Sequence, residues 1–162
     1  MFVPNRGSAG GPDTFFRDRG ETGPMQTVSM ERDLAAPPGE VRDAMGDVEA
    51  FMASGGFDDV TVDGDRVHLE NSVGLLTIEL DLALVEEPDA ALAYEQREGL
   101  FAAMTTRFVL EPSASGTTVV GETEFELDRG LVGPILDATI IKRQRRKELE
   151  GHFAYLERAT AE

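Results

Sequence analysis

The sequence predicts an α+β fold in which a curved antiparallel sheet is covered by one long C-terminal helix. Residues 57–127 consist almost entirely of segments in which apolar and polar residues alternate, separated by short turns, which is typical of antiparallel strands. Residues 131–158 are rich in strong helix formers and contain no proline after Pro134. With 162 residues, the chain has the length of one domain.

The N-terminal residues 1–24 do not show the pattern of a packed element. They contain eight glycines or prolines and few large apolar side chains. Such a composition buries too little apolar surface to offset the entropy lost on ordering. We expect a disordered arm, or a stretch that precedes the native start, because Met25 opens the first patterned segment. The folded domain is predicted over residues 25–160.

The next region predicts one strand followed by short helical structure. Residues 25–34 alternate between apolar and polar side chains, as in a strand with one covered face. After Pro37 the apolar residues recur at helical spacing until the chain reaches Gly55 and Gly56, which are typical helix terminators. Because Gly46 interrupts this segment, we expect one or two short helices after the first strand.

The remaining strands follow from the same alternation. A hairpin is predicted over residues 57–71, because the turn around Gly64 supplies the positive φ that a tight turn needs. Further strands over 75–85, 92–96, 102–110 and 117–128 give a sheet of about six to seven strands. The strand side chains expected to point inward include Leu80, Leu82, Tyr94, Gln96, Ala102, Met104, Thr106, Phe108, Thr123 and Phe125. The carboxylates expected on the opposite, solvated face are Glu79, Asp81, Glu122, Glu124 and Glu126.

The terminal helix has an apolar face that also contains charges. At about 100° per residue, the apolar side consists of Ile135, Ala138, Leu149, Phe153 and Leu156. Lys142 and Arg146 fall in the same sector, so we expect their charged ends to reach water or to bind an anionic group. His152 is predicted to lie outside the apolar sector.

The charge balance argues against a protein that binds duplex nucleic acid. The chain has 31 acidic and 15 basic residues, a formal net charge of −16, whereas duplex binding depends on neutralising phosphates.

Only Lys142 and Lys147 are lysines. An acid-rich, lysine-poor composition is typical of proteins from salt-accumulating cells, where salt screens self-repulsion. An acidic mesophilic protein is the alternative.

The chain contains no cysteine, which excludes disulfides and thiolate metal sites. No apolar run approaches the roughly 20 residues that a membrane helix needs. We therefore expect a cytoplasmic protein that does not span a membrane.

Three short segments resemble the START-like superfamily, also called SRPBCC. They are LAAPPGEV at residues 34–41, GTTV at residues 116–119, and the Gly133-Pro134 pair that opens the Arg-rich terminal helix. The resemblance covers residues 27–159. It implies a helix-grip fold that holds a hydrophobic small molecule between the sheet and the terminal helix. Members include lipid carriers, quinone-binding proteins, aromatic polyketide cyclases and plant hormone receptors, so the resemblance does not identify a ligand.

The sequence contains none of the common catalytic motifs. The patterns G-x-S-x-G and H-E-x-x-H, the phosphate-binding loop and the dinucleotide glycine fingerprint are all missing. The two histidines, His68 and His152, are dispersed, and the carboxylates of the strands are expected to face solvent. We therefore expect no metal, no cofactor and no catalytic residue.

Three functional hypotheses remain. The first is a module that binds or carries a hydrophobic or amphipathic small molecule. The residues predicted to contact that molecule are Leu80, Leu82, Tyr94, Gln96, Met104, Thr106, Phe108, Phe125, Ile135 and Phe153. The second is a cyclase- or dehydrase-like enzyme in which Tyr94, Gln96 or Arg32 polarises a substrate carbonyl. The third is an interaction protein whose basic segment at residues 142–147 contacts an acidic partner such as ribosomal RNA. The sequence leaves the ligand and the oligomeric state open.

Overall fold

The computed structural model describes residues 22–128 and 138–161. Its strands are β1 (Thr22–Leu34), β2 (Asp59–Asp63), β3 (Arg66–Val73), β4 (Leu76–Leu84), β5 (Leu92–Glu98), β6 (Phe101–Ser113) and β7 (Gly116–Asp128). Its helices are α1 (Pro38–Gly46), α2 (Val48–Ala53) and α3 (Ala138–Ala159). The predicted fold class is confirmed, because a curved antiparallel sheet is combined with two short helices after the first strand and a long C-terminal helix.

The seven strands form one sheet in the order β1-β7-β6-β5-β4-β3-β2, and all neighbouring pairs are antiparallel. Strands β2 to β7 follow one another in space as they do in sequence. The tight turns after β2 and β3 contain Gly64 and Gly74, each with a φ of 63°. Since β1 pairs with β7, helices α1 and α2 carry the chain from one edge of the sheet to the other.

The core lies between the inner face of the sheet and the three helices. Phe108 and Phe125 of the sheet, Phe51 of α2 and Phe153 of α3 are fully buried there. Helix α3 packs on β1, β7, α1 and α2. The contact with the end of α2 is close, because a Cβ atom at Gly151 would collide with the carbonyl oxygen of Ser54. Within the described residues, none of the helices combines the length and apolarity needed to cross a membrane.

The inward phase predicted for β6 is wrong at its beginning. Ala102 is exposed, whereas the side chain of Phe101 is buried. The pairing of β6 with β7 shifts register between Phe101 and Ala103, and such an irregularity changes which side chains face the core. From Met104 onward, the predicted alternation is confirmed.

The buried face of α3 also differs from the prediction. It consists of Ile141, Arg145, Glu148, Leu149, His152, Phe153 and Leu156. Arg146 is exposed and Lys142 is half-buried, and the prediction that His152 lies outside the apolar sector is wrong. The buried face is wider than the apolar one because the sheet and the short helices enclose α3 from two directions. Ile135 lies outside the described residues.

Candidate ligand-binding site

A small cavity lies between α3 and the part of the sheet formed by β3 and β4. Its volume is about 20 Å³, which is enough for roughly one water molecule. The residues that line it are Phe57, Leu69, Asn71, Ile78, Leu80, Phe101, Ile141, Gln144, Arg145 and Glu148. Its walls are therefore mainly apolar, and most of its polar side chains come from α3.

Strand register and helix periodicity together place these residues. Leu69 is paired with Leu80, and Asn71 with Ile78, across β3 and β4, so that all four side chains share the inner face. On α3, the residues at positions 141, 145 and 148 are spaced four and three apart and therefore face the sheet together. The cavity occurs where α3, which packs on β1 and β7, stands away from the far strands of the curved sheet.

The polar end of the cavity is a buried ion pair. Arg145 donates a hydrogen bond from Nη2 to the Oε2 atom of Glu148, and the two side chains are only 6 % and 4 % exposed. The Arg145 guanidinium carbon also lies 5.8 Å from the centre of the Phe101 ring. Its Nε atom is buried and has no hydrogen-bond partner within the described part of the chain. An unsatisfied buried donor is costly, which makes this atom the clearest candidate for a contact with a ligand.

The low polarity around this pair shifts two titrating groups. Burial raises the pKa of Glu148 to about 7, although the charge and hydrogen bond of Arg145 oppose the shift. Burial, reinforced by the nearby Glu148 charge, raises the pKa of the Tyr94 phenol above its ordinary value of 10. Tyr94 is therefore a neutral phenol at physiological pH, while Glu148 is poised to take up or release a proton near neutrality.

A second polar layer crosses the inner face of the sheet. The hydroxyl groups of Thr106 and Thr123 lie 2.8 Å apart and are buried. Thr123 donates to the carbonyl oxygen of Thr105 at 3.2 Å, so Thr106 is the donor within the threonine pair. These hydroxyls are satisfied inside the sheet, and they neighbour Tyr94 through the adjacent strand β5, where Tyr94 pairs with Thr106.

The structure brings only part of the predicted ligand-binding set to the cavity. Leu80 lines it directly. Leu82, Phe108, Phe125 and Phe153 are fully buried in the core beside it, and Tyr94, Met104 and Thr106 are also buried. Gln96 connects the ends of the β5–β6 turn, because its amide both donates to the carbonyl of Phe101 at 2.9 Å and accepts from the Phe101 amide at 3.1 Å. Ile135 lies outside the described residues.

Sequence reasoning misses the two charged residues at the polar end. Arg145 belongs to the basic segment at residues 142–147, whose charges the sequence analysis places in solvent or on an acidic partner. The available signal is the opposite charge three residues later, because an arginine and a glutamate at this spacing lie on the same side of a helix. The spacing alone could therefore have indicated Glu148 as the partner of Arg145.

His152 links α3 to α2. Its ring stacks on Phe51 at 4.4 Å, and its Nδ1 atom lies 2.9 Å from the Phe51 carbonyl oxygen and 3.0 Å from the Ser54 hydroxyl. Burial lowers the pKa of His152 to about 4, so the imidazole is neutral and donates from Nδ1 to the backbone. A Cβ atom at Gly55 would lie 2.9 Å from the ring, which shows that the ring is tightly enclosed. We assign His152 a structural role.

Arg32 lies at the edge of the site rather than inside it. Its Nη1 atom is 3.0 Å from the Glu157 carboxylate, and its guanidinium carbon is 5.5 Å from the centre of the Phe153 ring. The side chain is 34 % exposed. Arg32 therefore covers the core residue Phe153 while its charge reaches solvent.

The opposite face of the sheet carries a cluster of charged side chains around His68. The Nδ1 atom of His68 lies 2.7 Å from Asp81, and its Nε2 atom lies 3.6 Å from Glu79 and 3.8 Å from Glu70. The hydrogen bond to Asp81 raises the pKa of His68. All four side chains are at least one third exposed, as predicted for Glu79 and Asp81, and we assign them to a surface ion-pair cluster.

Comparison with known proteins identifies the fold. No protein-family model matches the sequence, and no curated protein does. Among solved structures, the ZhuI aromatase/cyclase from Streptomyces sp. R1128 is similar with a TM-score of 0.66 and 18% identity over 83% of this chain and 93% of that one. The protein TTHA0849 from Thermus thermophilus has a TM-score of 0.65 and 19% identity over 83% of this chain and 97% of that one. Truncated norcoclaurine synthase from Thalictrum flavum has a TM-score of 0.63 and 11% identity over 90% of this chain and 98% of that one.

TM-scores of 0.63 to 0.66 over most of both chains show that these structures share the fold of this chain. Identities below one fifth carry information on fold and not on activity. The chain therefore shares the helix-grip fold of these solved structures.

Proposed function

We propose that the protein binds an apolar or amphipathic small molecule between α3 and strands β3 and β4. The observation that supports this proposal is a mainly apolar cavity that ends at a buried polar group, the Arg145–Glu148 pair. Ligand sites commonly combine apolar walls with a few polar groups that fix the orientation of the ligand. A pair of buried charges contributes little to stability compared with apolar residues of similar size, so its presence here favours a role in binding.

Binding requires the cavity to widen. Its present volume of about 20 Å³ is well below the roughly 300 Å³ or more of typical small-molecule sites. Phe57, Ile78 and Gln144 line the cavity and are half-buried, so they form its side nearest to solvent. We expect these side chains and the first turn of α3, which precedes Arg145, to move outward when a ligand enters. The C-terminal half stays anchored through Phe153 and Leu156, which are fully buried.

The proposal can be tested with an uncharged fluorescent hydrophobic probe such as N-phenyl-1-naphthylamine, titrated into the folded protein in molar salt. We expect saturable binding of one probe per chain, and competition by aryl or alkyl ketones. Ile78→Phe should fill the cavity and weaken binding at least several-fold. Leu84→Phe is the matched control, because Leu84 is half-buried on the same face of β4 but does not line the cavity. Absence of saturable binding, or equal weakening by both variants, would contradict the proposal.

A second candidate function is catalysis of a cyclisation or dehydration at the same site. It is favoured by the pKa of Glu148, which burial raises to about 7, because a general acid or base works best near the operating pH. Glu148 would abstract a proton next to a substrate carbonyl, and the neutral phenol of Tyr94 would donate to an oxygen. Turnover of a short poly-β-ketone thioester should then fall about 10²- to 10⁴-fold in Glu148→Gln. Turnover that is unchanged in this variant would refute the catalytic role.

A further inference from the structure

We propose that the site selects ligands whose polar end is a neutral oxygen acceptor, such as a ketone or phenol, over ligands that carry a carboxylate. This inference rests on the proposed function and specifies the ligand class of the same cavity. It depends on the hydrogen bonds of Arg145, on the charge of Glu148 and on the remaining polar groups of the wall.

The Nε–H group is the donor of Arg145 that a ligand oxygen would use. Its guanidinium is held in place by the bond to Glu148 and by the Phe101 ring, and it lines the cavity. The buried Nε atom is the donor for which the described residues provide no acceptor. A ligand oxygen that entered this end of the cavity would accept from Nε without breaking the pair. An apolar ligand of the same shape would leave the donor unsatisfied.

The charge of the site favours a neutral acceptor. Glu148 already neutralises Arg145, and both side chains are buried, so solvent screens their fields weakly. At a pH above the pKa of Glu148, a ligand carboxylate would place a second negative charge beside this ionised side chain and would bind only if Glu148 took up a proton. Lys142 is half-buried, whereas Arg143 and Arg146 are exposed, so these neighbouring cations have their charges largely screened by water. A ketone or phenol avoids the like-charge contact and still satisfies Nε.

The other polar lining groups fit a ligand with one oxygen-bearing end. Asn71 is buried and Gln144 is half-buried, and both line the cavity with Arg145. Amide side chains both donate and accept, so they can pair with a hydroxyl or a second carbonyl. Leu69 and Leu80 supply apolar walls on the sheet side. The chemistry of the site thus corresponds to an aryl or alkyl ketone or phenol.

The test uses three ligands built on one skeleton: 2-acetylnaphthalene, 2-ethylnaphthalene and 2-naphthoate. Affinities are measured by calorimetry at about pH 8.5, above the pKa of Glu148, where this carboxyl is ionised. For the unmodified protein we expect the ketone to bind roughly tenfold more tightly than the hydrocarbon, as for one hydrogen bond from a charged donor, and the carboxylate to bind more weakly than the ketone.

Two variants separate the charge effect from a structural effect. Glu148→Gln removes the negative charge and leaves Arg145 uncompensated, so it should strengthen 2-naphthoate binding about tenfold or more and make the carboxylate the preferred ligand. Replacing both members of the pair, Arg145→Met with Glu148→Met, should abolish the ketone preference while 2-ethylnaphthalene still binds. The control is Arg146→Met with Glu150→Met, two exposed positions on α3, which should leave all three affinities unchanged.

The outcomes distinguish this inference from the function on which it rests. If none of the three ligands binds, the proposed function and the inference both fail. If the ketone and the hydrocarbon bind the unmodified protein equally, or if Glu148→Gln does not improve carboxylate binding, the inference alone is refuted.

Discussion

Two buried residues of α3 should give the stability of this protein opposite dependences on pH. Glu148 and His152 are only 3 % and 0 % exposed in the fold. Burial raises the pKa of Glu148 from 4.5 to about 7 and lowers the pKa of His152 from 6.5 to about 4. The charge of Arg145 lowers the pKa of both groups, and the Tyr94 phenol stays neutral.

The sign of each effect follows from which state binds the proton. Between pH 7 and 4.5 the folded protein protonates Glu148 before the unfolded chain does, so this residue increases the free energy of unfolding as the pH falls. Between pH 6.5 and 4 the unfolded chain protonates His152 first, which decreases the free energy of unfolding. A pKa difference of this size between the folded and unfolded states corresponds to about 3 to 4 kcal/mol. The two contributions should therefore nearly cancel between pH 4.5 and 6.5.

Single substitutions should reveal the two opposing pH dependences of the free energy of unfolding. The free energy of unfolding is measured by urea denaturation at fixed salt from about pH 4 to 8 for the unmodified protein, Glu148→Gln and His152→Asn. Relative to the unmodified protein, Glu148→Gln should lose about 3 kcal/mol as the pH falls from 7 to 4.5, whereas His152→Asn should gain a similar amount as the pH falls from 6.5 to 4. Glu150→Gln, at an exposed position on α3, should show neither change. Slopes of the same sign in the first two variants would refute this reasoning.

Three further changes test the packing of α3. Phe153→Ala should cost about 3 to 5 kcal/mol in chemical denaturation, because the ring is fully buried, and a cost below about 1 kcal/mol would mean that the surroundings are not packed. Gly151→Ala should lower the melting temperature, since its Cβ atom would collide with the Ser54 carbonyl oxygen. An unchanged melting temperature would contradict the close contact between Gly151 and Ser54. Arg32→Met should change stability by less than about 1 kcal/mol, because the ion pair with Glu157 is partly exposed, and the small effect should vanish in molar salt. A larger effect that persists in salt would assign Arg32 to the core.

The fold could be predicted because its signals are local. Alternation of apolar and polar residues identifies the strands, and Gly64 identifies a tight turn, since both depend on neighbouring residues. The exposed position of Ala102 could not be predicted, because the register shift near Phe101 depends on how β6 meets β7. A shift of a single residue exchanges the two faces of a strand, and the sequence of one strand does not record it.

The candidate site is less predictable because its polar groups are buried. The helix sector predicted to face the sheet includes Arg146, which is exposed, and does not name Arg145, which is buried. Whether a guanidinium can be buried depends on its counter-ion and on the surface against which it packs, and both are determined by the tertiary structure. The position of His152 could not be predicted for the same reason, because the carbonyl that accepts its hydrogen bond belongs to Phe51, about a hundred residues earlier in the chain.

A comparison of these buried polar side chains shows which of them is the better candidate for a contact with a ligand. His152 donates to the Phe51 carbonyl, and its unpartnered Nε2 atom is enclosed next to Gly55 and Phe57, where an added atom would collide. Because the ring is neutral, burying that nitrogen without a hydrogen-bond donor or counter-ion has only a modest desolvation cost. The unpartnered Nε of Arg145 differs in both respects, because it is a charged donor and its side chain lines a cavity. Replacing a buried ion pair by apolar residues of similar size is often neutral or stabilising, so the Arg145–Glu148 pair is weak evidence for stability. Its position therefore supports the proposed recognition of a ligand oxygen.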